Sequence, residues 1–209
     1  MRVAIVGGSG IESLPELEVK NRYDVMTVWG KPSTTITAGV LNQIEVLFLP
    51  RHGLGHSIPP HKINYRANLR AITELGAEAI IATTAVGGIE PESEPGTIVI
   101  PHQLIDYTYG RDHTYFDSSQ GSMEHIDFTE PYSSKLRRAL IGAAEIVGLS
   151  AQKTGTYGAT QGPRLETAAE IHRLALDGCT IVGMTGMPEA ALARELGVDY
   201  ANISLVVNR

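Results

Sequence analysis

Hydroxyl, guanidinium and glycine groups gather where several short apolar runs of this sequence end. Gly7-Gly8-Ser9-Gly10 follows Val3–Val6. Glycines let backbone N–H groups approach an anion closely, and Ser9 adds a hydroxyl donor. Pro50-Arg51-His52-Gly53-Leu54-Gly55-His56 follows Val46–Leu49. Arg51 there offers a planar fork of donors suited to phosphate, and His52 can add another. Thr83-Thr84-Ala85-Val86-Gly87-Gly88 closes a third run. Ligands in open α/β sheets gather beyond the carboxyl ends of strands, so three such ends point to a small bound oxyanion. Taken singly, each motif also reads as an ordinary turn. A dinucleotide fingerprint fails on spacing, since the sixth position counted from Gly8 is Ser13, and a P-loop lacks its Gly-Lys-Ser/Thr ending. Metal binding by His52, His56 and His61 is disfavoured: Gly53, Gly55, Pro59 and Pro60 forbid the helix that would align them.

Three further motifs suit an organic ligand. Thr160-Gln161-Gly162-Pro163-Arg164-Leu165-Glu166-Thr167 lies between a strand and a helix. Glu166 is either a ligand-binding carboxylate or, with Thr167, part of the helix's first turn. In Gly183-Met184-Thr185-Gly186-Met187-Pro188-Glu189, Met184 can pack against a sugar or belong to the core, and Thr185 can turn a hydroxyl to an anion. Asn208, at the end of the last apolar run, carries an amide that donates and accepts in one plane, as a purine edge requires. An isolated Asn is otherwise a turn residue.

The elements that must hold these residues are legible from periodicity. Buried strands are expected at Val3–Val6, Val46–Leu49, Ala79–Thr83, Thr97–Ile100, Thr154–Ala159, Thr180–Met184 and Ala201–Val207. Helices are expected at Lys62–Leu75, Ser134–Val147, Glu166–Leu176 and Pro188–Leu196, each followed by a glycine suited to a left-handed C-cap. Pro188 fits a first helical position. The alternation implies a single α/β domain over residues 1–209, with a parallel or mixed sheet. Asp106–Pro131 lacks periodicity and reads as a long loop carrying function or a subunit contact.

Composition narrows the ligand classes. Hydrophobic residues at 43% and charged residues at 19% permit a packed core. A net charge of -6 argues against sequence-independent nucleic-acid binding, while leaving a local anion site possible. Cys179 has no second cysteine to pair with, which favours a reducing compartment, and no apolar stretch is long enough to span a membrane, so a cytoplasmic protein is expected.

In their order along the chain, the glycine loop, RHG (51–53), NYRAN (64–68), TTAVGG (83–88), GPRLET (162–167) and MTGMPEA (184–190) resemble the purine nucleoside phosphorylase and methylthioadenosine phosphorylase family. The likeness runs from Val3 to Asn208 and implies a mixed central sheet flanked by helices. It places phosphate among Ser9, Arg51, His52, Thr84, Ala85 and Thr185. Met184 and Leu165 would contact the nucleoside, with a residue of the His56–Pro60 loop near its 5′ substituent. His125 would be donated to that end by a neighbouring subunit of a trimer or dimer of trimers. Glu166 and Asn208 are the pair that resembles 6-oxopurine phosphorylases: Glu166 accepts N1–H, and Asn208 donates to O6 and meets N7. The runs GMTGMPEAALAREL (183–196) and LVVN (205–208) are similar to the branch acting on S-methyl-5′-thioinosine. The implied reaction yields hypoxanthine and 5-methylthioribose 1-phosphate, with Asn208, Glu166 and His52 as catalytic residues. It needs no metal or organic cofactor, because phosphate is itself a substrate. A general inosine and guanosine phosphorylase, a methylthioadenosine phosphorylase and a nucleoside-binding module without turnover are the competing readings. A nicotinamide-dependent oxidoreductase rests on the glycine loop alone. The family continues past its last strand through a loop and a helix, so with Arg209 as the last residue that segment is expected to be lacking.

Overall fold

The computed structural model describes residues 1–116 and 123–209. Among them, one mixed sheet contains β1 (Arg2–Gly7), β2 (Glu18–Tyr23), β3 (Ile36–Leu41), β4 (Ile44–Pro50), β5 (Ala79–Gly88), β6 (Ile98–Val99), β7 (Gln103–Asp106), β8 (Ala151–Gln152), β9 (Thr156–Ala159), β10 (Ile181–Gly183) and β11 (Asp199–Asn208). The helices α1 (Tyr65–Glu74), α2 (Ser134–Ile146), α3 (Ala168–Leu176) and α4 (Gly186–Glu195) flank it. The order β2-β3-β4-β1-β5-β10-β9-β7 forms the main path, with β11 on β5, then β6 and β8. Pairs β1/β4, β1/β5 and β5/β11 are parallel, whereas β2/β3, β3/β4 and β5/β10 are antiparallel.

All seven expected strands and all four expected helices are present, with shifted ends. The edge hairpins were not anticipated. Almost every residue of β2 is exposed, so its sequence carries no apolar alternation. β3 and β4 are joined by Asn42 and Gln43, both at positive φ (47° and 69°), the geometry of a two-residue hairpin turn. The C-terminal glycines behave as expected: Gly76, Gly148, Gly178 and Gly197 all have positive φ. Met187 is extended (φ -120°, ψ 143°), so regular helix in α4 begins at Pro188.

One correction matters for the site. Thr83–Gly88 was expected to lie beyond a strand that ends at Thr83, but β5 continues to Gly88 because β11 pairs with it from Ala79 to Gly87. On its other edge β5 changes neighbour. Residues Ala79–Ala82 pair with β1, and Gly87 and Gly88 pair with β10. Among the described residues, 83–86 therefore have no ladder partner on that edge. A crevice at such a change of neighbour is where open α/β sheets place ligands.

Helices α1 and α4 close the core over the sheet. Tyr65, Leu69 and Ile72 pack in one cluster with Ala190, Leu192, Ala193, Leu47 and Ile80. α3 is set by its own cap. The Thr167 hydroxyl accepts from the Glu170 N–H, and the Glu170 carboxylate accepts from the Thr167 N–H at 2.7 Å, a complete capping box. Glu166 thus precedes the cap and is spared a helical duty. Thr167→Ala is expected to lower stability by about 1 kcal/mol, read as a shift in the urea midpoint with an unchanged denaturant slope.

Candidate active site

The glycine loop leaves β1 directly opposite the open edge of β5. Gly8 N–H donates to Thr83 Oγ1 at 3.0 Å, and Ile11 N–H closes the turn onto Gly8 O at 3.0 Å. A Cβ on Gly8 would lie 2.3 Å from Thr83 O and 3.1 Å from Arg51 Nη1, so only glycine permits this approach. Ser9 is exposed at the mouth of the resulting cavity.

Arg51 is fully buried beneath the loop. Its fork is closed on Glu189, with Nε donating to Oε2 at 2.6 Å and Nη2 to Oε1 at 2.8 Å. Nη1 donates to Thr83 O at 3.1 Å, and Tyr200 Oη donates to Glu189 Oε1 at 2.8 Å. With the second Nη2 hydrogen on Val6 O at 3.5 Å, the free fork expected from the sequence is committed inside the protein, and among the described residues a single Nη1 hydrogen is left over beside Gly8. Burial alone would lower the guanidinium pKa, but the Glu189 carboxylate holds it above its ordinary range. The remaining donor is permanently cationic and rigid.

His52 is also buried and also differs from expectation. Its Nδ1 lies 2.9 Å from Ile58 O, and because a carbonyl can only accept, Nδ1 carries the proton. Burial, with help from the nearby Arg51 charge, pushes the ring down to about 4 against the opposing Ile58 bond. Neutral His52 therefore presents an Nε2 lone pair. The ring thus offers the cavity an acceptor where a further donor was expected. His56 stacks on it at 4.1 Å, with rings 22° apart.

Thr84 turns its hydroxyl away from the cavity, to Ser204 Oγ at 3.0 Å and Asn202 Oδ1 at 3.2 Å. What it shares with Ala85 is the strand edge freed between β1 and β10, and both residues line the cavity. Thr185, buried at the start of α4, lines the same end. At the other end, Glu166 accepts from Thr160 Oγ1 at 2.5 Å. Asn208 lies over Gly87, where an added Cβ would meet its Nδ2 at 3.6 Å. Met184 sits between the two ends against Gly162.

Ser9, Arg51, His52, Thr84, Ala85 and Thr185 thus share one cavity of about 540 Å³ with Met184, Leu165, Glu166, Asn208, His56 and Pro60. His125 is exposed and does not line it. The lining combines the polar group around Gly8, Arg51 and His52, the apolar Met184 and Pro60, and the planar side chains of Glu166 and Asn208. Sequence reasoning gave no role to Glu189 and did not single out Arg111. Glu189 stands inside a quoted motif, but only its burial reveals the pairing. Arg111 lies in the aperiodic stretch after β7.

The chain matches the phosphorylase superfamily over residues 2–209 and belongs to it. A protein of Pseudomonas syringae pv. tomato named probable S-methyl-5′-thioinosine phosphorylase is 52% identical over 205 residues, covering 98% of this chain and 83% of the relative. A 6-oxopurine nucleoside phosphorylase of Pyrococcus furiosus is 52% identical over 212 residues, covering 99% and 79%. Among solved structures, methylthioadenosine phosphorylase from Schistosoma mansoni in complex with tubercidin superposes with a TM-score of 0.97 at 34% identity, covering 99% and 81%.

Two consequences follow from the buried groups. Glu189→Ala leaves the Arg51 charge unpaired, so we expect a loss of about 3–5 kcal/mol in urea unfolding, together with a higher KM for phosphate. For His52, the folded chain binds its proton only near pH 4, whereas the ordinary value is 6.5. The unfolded chain takes up the extra proton between those values, so stability is full above about pH 6.5 and falls as pH drops toward 4. Unfolding free energies measured across that window should show a shallower slope in His52→Gln.

Proposed function

We propose that the chain catalyses phosphorolysis of S-methyl-5′-thioinosine to hypoxanthine and 5-methylthioribose 1-phosphate. The observation that carries this reading is the placement of Glu166 and Asn208 across one cavity from the Gly8–Ser9, Arg51 and Thr185 end. A 6-oxopurine offers N1–H to Glu166, and O6 and N7 to the Asn208 amide. A 6-aminopurine would turn an unprotonated N1 toward the carboxylate, a mismatch that discriminates strongly. Pro59, Pro60 and Met184 give the region between the two ends an apolar surface suited to a thioether. The similarity to named thioinosine phosphorylases supports the same substrate.

In the proposed reaction the C1′–N9 bond lengthens first and positive charge develops on the ribosyl ring. Phosphate at the anion end stabilises that charge, and one of its oxygens then bonds to C1′. The purine leaves with the bonding electron pair, N7 takes a proton from solvent, and the Asn208 side-chain carbonyl accepts the resulting N7–H bond. Arg51 and the Gly8 loop fix the phosphate, while the Nε2 of neutral His52 accepts a hydrogen bond from its protonated oxygen. Phosphate is a substrate, and this reading calls for no metal or organic cofactor. The reading includes a cytoplasmic homotrimer in which His125 of a neighbouring copy reaches the 5′ end.

Steady-state kcat/KM for methylthioinosine, methylthioadenosine, inosine and guanosine tests the assignment. Methylthioinosine should lead; a lead for methylthioadenosine would sink the base assignment, and equal use of inosine would move the enzyme to the general 6-oxopurine class. Asn208→Asp should lower the ratio of 6-oxo to 6-amino turnover by about 10²-fold, measured with the same substrates.

A further inference from the structure

Arg111 is 8% exposed and lies outside the residues that line the cavity. Among the described residues, every acceptor of its hydrogen bonds is a neutral oxygen. Nε donates to Gln161 Oε1 at 3.1 Å, and Nη2 donates to Thr160 O at 3.2 Å and Gln161 O at 2.8 Å. Nη1 donates to Met184 O at 2.8 Å, Met187 O at 2.6 Å and Tyr65 Oη at 3.3 Å. Tyr65 Oη in turn donates to Pro60 O at 2.9 Å. One guanidinium therefore ties together three segments around the cavity: 160–161, 184–187 and, through Tyr65, Pro60.

The position of these carbonyls gives them meaning. β9 and β10 run side by side as far as the pair Ala159 and Gly183. Thr160 N–H still donates to Gly183 O at 2.8 Å, and beyond it the two chains part. One leads through Thr160, which holds Glu166, toward the base end; the other leads through Met184 and Thr185 toward the anion end. Arg111 fills the fork between them and supplies planar bonds where the ladder stops. An ammonium has three donors on one point and cannot span acceptors spread across two chains, whereas a guanidinium has five in a fixed plane.

We propose that Arg111 is a positioning residue for the reaction, which sets the distance between the base-reading loop and the sugar–phosphate loop. It touches neither substrate. Losing it would let the two loops drift independently, so that base and phosphate are no longer held at the separation needed for transfer. Misplacement by about 1 Å can cost on the order of 10²-fold in rate. The proposal rests on the functional reading above in taking phosphorolysis as its readout.

The test compares wild type, Arg111→Lys and Arg111→Met in steady-state phosphorolysis, varying phosphate and nucleoside separately, on enzyme whose folding is checked by thermal melting. Positioning predicts higher KM values for both substrates and a kcat/KM lower by about 10²-fold in folded Arg111→Lys. A merely structural arginine would reduce the active fraction, lowering apparent kcat with KM unchanged, and that result overturns the proposal. Wild-type kinetics in the lysine variant, or failure of both variants to fold, overturns it as well. Should the wild type cleave no purine nucleoside, the functional reading fails, and Arg111 is then decided by calorimetric Kd values. Phosphate and hypoxanthine should both bind more weakly to Arg111→Lys, and unchanged affinities would refute the positioning role.

Discussion

Where β1 leaves β5 after Ala82 and β10 joins it at Gly87, a short length of strand edge stays open, and the cavity is organised around that opening. The glycine loop crosses it, Arg51 lies beneath it, and Thr84 and Ala85 belong to it. An open edge inside a protein is costly unless its polar groups find partners. Here Arg51 covers Thr83 O, and the Gly8 N–H is satisfied by the Thr83 side chain. Burying Arg51 for this purpose requires a counter-charge, which Glu189 supplies, itself held by a hydrogen bond from Tyr200. The opening, the loop and the buried ion pair are therefore one arrangement, and the polar end of the cavity is its open face.

The chemistry of that face differs from a simple cluster of positive charge. Arg51 has spent most of its donors internally, and His52 is held neutral with its Nδ1 proton on Ile58 O. The site offers donors of fixed direction together with the His52 acceptor. Such a preorganised set suits an oxyanion that keeps a proton, and it costs little reorganisation when charge shifts during reaction. A chain with net charge -6 can hold phosphate on these terms, since the selectivity is local.

Much of this was legible in the sequence because the motifs sit at strand ends, where short apolar runs give way to Gly, Thr and Arg. Ser9, Arg51, His52, Thr84, Thr185, Glu166 and Asn208 fall around one cavity, as their order along the chain suggested. The orientation of side chains was not legible. Nothing in Arg51-His52 announces that the guanidinium turns to Glu189, 138 residues away, or that the imidazole turns to a carbonyl. The exposed strand β2 lacked a pattern because both its faces meet water. Arg111 escaped notice for a related reason. Its partners are mostly backbone carbonyls, and carbonyls leave no mark on sequence.

In the proposed reaction one cavity holds phosphate and a 6-oxopurine nucleoside together and joins phosphate to C1′. The most direct measurement is ³¹P NMR of the enzyme incubated with S-methyl-5′-thioinosine and inorganic phosphate, with released base followed in parallel. The inorganic phosphate signal should be lost one-for-one with hypoxanthine formed, while a sugar 1-phosphate resonance grows. Base release without phosphate consumption, or no release at all, would contradict it.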